Sequence, residues 1–193
     1  MRLERYISLI IVVILFGAGC TAEREALFDE TVWVEQAQTS LMPFKQGLMG
    51  ALKAGMQEGP EAAIEACRLQ APTIGEAVQS DRVAMGRTSH KLRNPDNAPR
   101  DWVAPLLQSY VDAPGKQGPE VVRLSGGRVG YVEPIIMQAM CQTCHGTTVS
   151  PEVESLLATH YPNDEARGFA EGDFRGLFWV EFEGGSETEE QGG

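Results

Sequence analysis

The sequence predicts an α+β fold, an antiparallel sheet with flanking helices, and three stretches carry that expectation. "PEVVRLSGGRVGYVEPI" (119–135) reads as two strands joined at Ser125, Gly126 and Gly127, the pattern of a hairpin. "DFRGLFWVEFE" (173–183) alternates loosely through Phe178, Val180 and Phe182 and supplies a last strand. "SPEVESLLATHYP" (150–162) is a helix with Ser150 as its N-cap and Pro151 at its first position.

In chain order, the first element is a leader. "MRLERYISLIIVVILFGAGC" (1–20) carries Arg2 and Arg5, then the apolar run "LIIVVILF", then small residues ending on Cys20, the layout of an export signal. The apolar run falls short of the roughly 20 residues that a spanning helix needs. "GAGC" resembles a bacterial lipobox, with Gly17 where leucine is usual, so Cys20 is expected to become the lipidated first residue of the mature chain; the alternative is a short uncleaved anchor. Either reading places the rest outside the cytoplasm, on the periplasmic face of a bacterial membrane; on the lipidated reading the lipid is its one membrane contact. Net charge is −11, and removal of the leader leaves the remainder more acidic still. Such a surface excludes nucleic acid and anionic lipid as partners.

A polar linker (21–27) precedes the fold. Helical periodicity runs from Phe28 to Ala54 and is expected to break near Pro43. Gly59 and Pro60 open a second helix, "EAAIEACRLQAP" (61–72), which Pro72 should end. Residues 86–105, "GRTSHKLRNPDNAPRDWVAP", hold three prolines and two asparagines with little periodicity, so an irregular connection is expected. Its length and its Arg/Asn content point to a functional loop. The tail (184–193) is acidic and glycine-rich and is expected to stay disordered, which leaves 28–183 as one domain.

The chemistry lies in "MCQTCHG" (140–146), where C-x-x-C-H is the attachment signature of c-type haem. Two thiols three residues apart on one turn can add to the two vinyl groups, and the adjacent imidazole then lies under the iron. Cys141 and Cys144 would be the thioether links to one haem c, and His145 the proximal ligand. A thioredoxin-like redox pair leaves the histidine unexplained, and a zinc site would need a second ligand pair that this sequence lacks. The candidates for the opposite axial position are His90, His160, the methionines 42, 49, 56, 85, 137 and 140, and Cys67. His90, in the Arg/Asn loop, is a serious rival. Cys67 shares a helix face with Ala63, Ile64 and Ala71; periodicity alone fits a small buried hydrophobe, while the small neighbours would also let a flat macrocycle approach.

From about Phe44 to Phe182 the chain resembles a family of c-type haem domains with a PAS-like fold, found as stand-alone exported cytochromes and as extracytoplasmic sensor parts of histidine kinases and cyclases. The likeness rests on "EGPEAAIEACRLQAPTIG", "GRTSHKLRNPDNAPRDW", "CQTCHG" and "YPNDEARGFAEGDFRG", in the family's order. It departs from that pattern at Val103, where glutamate is usual. The resemblance implies that His145 and Cys67 are the two axial ligands and that Arg87, Arg93 and Asn94 belong to a loop against the haem. Arginine forks there suit the haem carboxylates, or else ordinary salt bridges.

A thiolate ligand stabilises the ferric state and weakens on reduction. The expected function is therefore a redox or small-ligand sensor rather than an enzyme, acting through a separate redox or signalling protein, since no output domain follows in this sequence. The alternative is a low-potential electron carrier. A peroxidase-type enzyme, for which only His90 and Arg87 speak, comes third.

Overall fold

A computed structural model describes residues 28–113 and 115–184. The leader with Cys20, the linker and residues 185–193 lie outside the described residues. The architecture is the α+β arrangement expected: a four-stranded antiparallel sheet of order β1-β4-β3-β2, with helices on both faces.

Helix α1 (Glu30–Glu58) starts where Asp29 accepts the Thr31 N–H at 3.0 Å. It does not break at Pro43. Pro43 and Thr39, whose carbonyl loses its donor, are both exposed, so water can take that place; Ala37, Leu41 and Phe44 hold the opposite, buried face.

The second helical segment also outruns its expected end. α2 (Pro60–Glu65) leads into a π-helical turn (Ala66–Gln70), then α3 (Ala71–Val78). The Ala71 N–H reaches back five residues to the Ala66 carbonyl. That widened turn accommodates Pro72, which sits in the first turn of α3, where a missing donor matters least. Gly55 lets α1 and α2 meet backbone to backbone, since a Cβ there would lie 2.7 Å from the Cα of Ala63.

β2 (Glu120–Arg123) and β3 (Val129–Ile136) form the expected hairpin, and β4 (Phe174–Phe182) is the expected last strand. The stretch 86–105 is less irregular than its composition predicts. β1 (Val83–Thr88) takes its first three residues and pairs with β4, with Arg87 opposite Phe178. After a single 3-10 turn (Pro95–Asn97), the chain enters a further helix, α4 (Ala104–Asp112).

One sheet face (Met85, Val129, Tyr131, Val180, Phe182) packs on α1; the other (Val132, Leu177, Trp179) packs on Val103, Leu107 and Tyr110. Val103, the departure from the family pattern, is fully buried there. Glu181 is also buried, accepting hydrogen bonds from Arg100 (2.9 Å), Trp102 Nε1 (2.7 Å) and Arg128. Helix α6 (Pro151–His160) begins as expected, with Ser150 Oγ accepting the Val153 N–H, and packs against α2 through Ile64, Val153 and Leu157. No helix of the described residues is long and apolar enough to cross a membrane.

Candidate functional site

A cavity of about 490 Å³ lies where α1, the π-helical turn, β1 and the C-x-x-C-H segment converge. That size is in the range of cofactor pockets. Its walls gather Cys67, Arg87, Arg93, Asn94, Cys141, Cys144 and His145, residues drawn from three separated parts of the sequence. Apolar side chains from α1 (Leu48, Met49, Leu52, Met56) and β3 (Ile135, Ile136) fill much of the remaining wall.

The C-x-x-C-H segment folds as a 3-10 turn (Ala139–Cys141) running into one helical turn, α5 (Gln142–His145). Gly146 closes it, and its N–H bonds the Gln142 carbonyl at 2.9 Å. A Cβ at Gly146 would fall 2.5 Å from that oxygen, so this tight exit requires glycine. The chain 161–169 then returns alongside: Phe169 N–H bonds the His145 carbonyl at 3.0 Å, and Gly168 N–H bonds the Gly146 carbonyl at 3.0 Å.

This return presents the Ala166 carbonyl to His145 Nδ1 at 2.7 Å. A carbonyl only accepts, so Nδ1 carries the proton and Nε2 keeps its lone pair. Burial, with Arg93 and Arg175 nearby, lowers the His145 pKa to about 3, so the ring is neutral at physiological pH. A neutral imidazole with its far nitrogen anchored is the form that ligates a metal.

Arg93 sets that geometry. Its Nε and Nη2 fork onto Asp164 Oδ1 and Oδ2 at 3.0 and 3.1 Å, and Nη2 also donates to the carbonyls of Cys144 (2.5 Å) and Ala166 (3.4 Å). Asp164 accepts from Arg167 Nε and from the Ala166 N–H, both at 2.9 Å. One buried ion pair thus ties the C-x-x-C-H turn to the loop that holds the histidine.

Cys67, Cys141 and Cys144 are half-buried free thiols. Cys144 packs beside Ile64, Leu157 and Tyr161; burial pushes its thiol pKa up, Arg93 partly opposes this, and Cys67 lies near enough to be felt. Cys67 sits in the π-helical turn, where the backbone departs from α geometry. Ala63, Ala66 and Ala71 around it are small, buried and on the cavity wall.

The rival ligands divide. His90, His160, Met42 and Met85 are not on the cavity wall: the His90 ring stacks on Phe174 at 5.7 Å, and Met85 lies in the sheet core. Met49, Met56, Met137 and Met140 do line it.

Two features escape sequence reasoning. Asp164 and Ala166 lie in the quoted block "YPNDEARGFAEGDFRG", yet nothing local ties them to His145. Arg175 donates to Ser89 Oγ (2.6 Å) and the Lys91 carbonyl (3.3 Å), which ties β4 to the chain after β1, and it also faces the cavity.

Two thiols three apart, a neutral imidazole beside them, a third thiol and an apolar wall suit a covalently held iron porphyrin, and the donor set fits that group. Comparison with known proteins follows the same line. No curated protein matches the sequence. The crystal structure of a cyanobacterial heme-protein, Tll0287, is similar with a TM-score of 0.57 at 23% identity, covering 77% of this chain and 93% of that one; the likeness is one of fold. The profile of the Tll0287-like family matches residues 22–182, a span that takes in the sheet, the cavity and every residue placed on it, and the chain belongs to that family.

Proposed function

We propose that this chain is an exported c-type haem protein that senses redox state or a small ligand. One haem c would be held through Cys141 and Cys144, with His145 and Cys67 as the residues that would ligate its iron. The observation that carries this reading is the His145 ring, neutral and anchored through Nδ1 to Ala166, on the wall of a cavity that also exposes three free thiols. The heme-protein of similar fold supports it.

Bound there, the haem would supply a one-electron couple and, if an axial position opens, a place for a small ligand. The chain's own residues do the rest. His145 offers Nε2 in a fixed orientation, because Ala166 and the Arg93–Asp164 pair hold the ring and its loop. Cys67 offers a thiol, which a bound metal would deprotonate outright. Its π-helical turn departs from α geometry and sets the thiol on the cavity wall. Leu48, Leu52 and Ile136 keep water from the site.

Lipid on Cys20 would tether the protein at the periplasmic face, and a separate redox or signalling protein would receive the output. Replacing Cys67 with alanine should change the low-spin ferric absorption and electron paramagnetic resonance spectra. Unchanged spectra would remove Cys67 as a ligand. Carbon monoxide or nitric oxide binding by the reduced wild type is expected of a sensor, whereas a reversible couple inert to both gases marks an electron carrier. Mass spectrometry of membrane-extracted protein should find a diacylglyceryl group on Cys20.

A further inference from the structure

Four cationic side chains line the cavity, Lys45, Arg87, Arg93 and Arg175, against one carboxylate, Glu133. Lys45 pairs with Glu133, and Arg93 pairs with Asp164 behind the wall. Among the described residues, no carboxylate pairs with Arg87 or Arg175. Two uncompensated cations therefore face one largely apolar space, in a chain whose net charge is −11. Partly desolvated charges of one sign are costly side by side unless an anion joins them.

Arg175 is also fixed in place. Ser89 Oγ donates to the Arg175 carbonyl and accepts from its Nη1, both at 2.6 Å, and the Lys91 carbonyl accepts from the same nitrogen. β4 passes close enough to Ser89 for this because residue 176 is glycine; a Cβ there would lie 2.1 Å from the Thr88 carbonyl oxygen. Arg87 projects from the neighbouring strand and is close enough to depress the Arg175 pKa, which burial above all, with Arg93 and Arg87, lowers to about 10. The Arg175 guanidinium stays charged at neutral pH.

We propose that Arg87 and Arg175, and not Arg93, form the clamp for the two carboxylates of the porphyrin, an inference that rests on the haem reading above. Two cations without partners match a planar apolar body that carries two anionic arms. Arg93 acts as a positioning residue, its fork already closed on Asp164.

The test uses the full chain produced without haem attachment, titrated with ferric protoporphyrin IX and with its dimethyl ester, in which both carboxylates are neutralised. Wild type should bind the free acid at least about tenfold tighter than the ester, since charge-assisted hydrogen bonds are lost with the ester. Arg87→Gln and Arg175→Gln should each shrink that ratio, and the double variant should bring it to about one. Arg93→Gln should weaken both porphyrins and leave the ratio unchanged. A wild-type ratio near one overturns the clamp without need of any variant, as does a ratio that survives in the double variant while circular dichroism shows a folded protein. If neither porphyrin gives a Soret shift that His145→Ala abolishes, the haem reading itself fails, and the clamp with it.

Discussion

Asp164→Asn isolates the ion pair on which the histidine depends. Asp164 has a side chain only 2% exposed and accepts four hydrogen bonds, two from Arg93, one from Arg167 and one from the Ala166 backbone. Asparagine keeps the shape, removes the charge and turns one oxygen into a donor that must face another donor. Arg93, 11% exposed, is left as a buried cation without a counter-ion. Breaking a buried pair from one side costs about 3–5 kcal/mol. For a domain of this size that lowers Tm by about 6–20 °C.

The pH dependence has a definite sign. Burial alone would push the Asp164 carboxyl up, but hydrogen bonds from Arg93 and Arg167 overcome it and hold the folded pKa below the ordinary value. The stabilisation is thus fully present above the unfolded pKa of about 3.9 and is lost as pH falls through the folded one. Urea unfolding of wild type and variant should show the gap at neutral pH and see it close in acid. A gap under about 0.5 kcal/mol at pH 7, or one that persists undiminished into acid, would refute the assignment of Asp164 as the anchor of this loop.

Other expectations concern the frame of the site. Gly176→Ala should destabilise the fold and disturb the cavity spectrum, because its Cβ would meet the Thr88 carbonyl oxygen at 2.1 Å; a stable protein with unaltered binding would contradict the close approach of β4 to β1. Leu157→Ala, at a fully buried position between α6 and the Cys144 side of the cavity, should cost about 2–5 kcal/mol by chemical denaturation. Glu181→Gln should cost about 1–3 kcal/mol, since it weakens the bonds from Trp102, Arg100 and Arg128. Burial pushes that carboxyl up, yet those partners hold its pKa below the usual value, so this loss too should fade in acid.

What the sequence made legible was local. The turn at Ser125–Gly127 and the Ser150 cap each act within a few residues, and each reappears where expected. The two prolines misled for the same reason: their local penalty is real, but its size depends on surroundings that the sequence does not display. Pro43 lies on the solvent face of α1, and Pro72 follows a helix able to widen by one residue. β1 was hidden because Gly86 and Arg87 look like loop residues until β4, some ninety positions later, supplies the partner. α4 did carry a signal, Pro105 followed by Leu107, Tyr110 and Val111 at helical spacing, which the surrounding prolines obscured.

The site divides along the same line. The groups proposed to hold the haem, Cys141, Cys144 and His145, form a short motif, because thioether and iron chemistry would fix their spacing through bonds. The groups that orient and charge the cavity answer to no such spacing. Ala166 reaches His145 by a returning loop, and Arg175 reaches the cavity because a glycine lets two strands close. Cys67 stands between the two cases. Its helix was readable, but its place on the cavity wall depends on the π-helical turn that Pro72 accompanies. A proline that seemed only to end a helix is thus part of what presents the thiol. Replacing Pro72 with alanine should let the turn relax toward α geometry, rotate Cys67 away from the wall and alter the ferric spectrum while leaving thermal stability within about 1 kcal/mol. A ferric spectrum identical to wild type would separate the thiol's position from the proline and leave the small-residue wall of Ala63, Ala66 and Ala71 as its determinant.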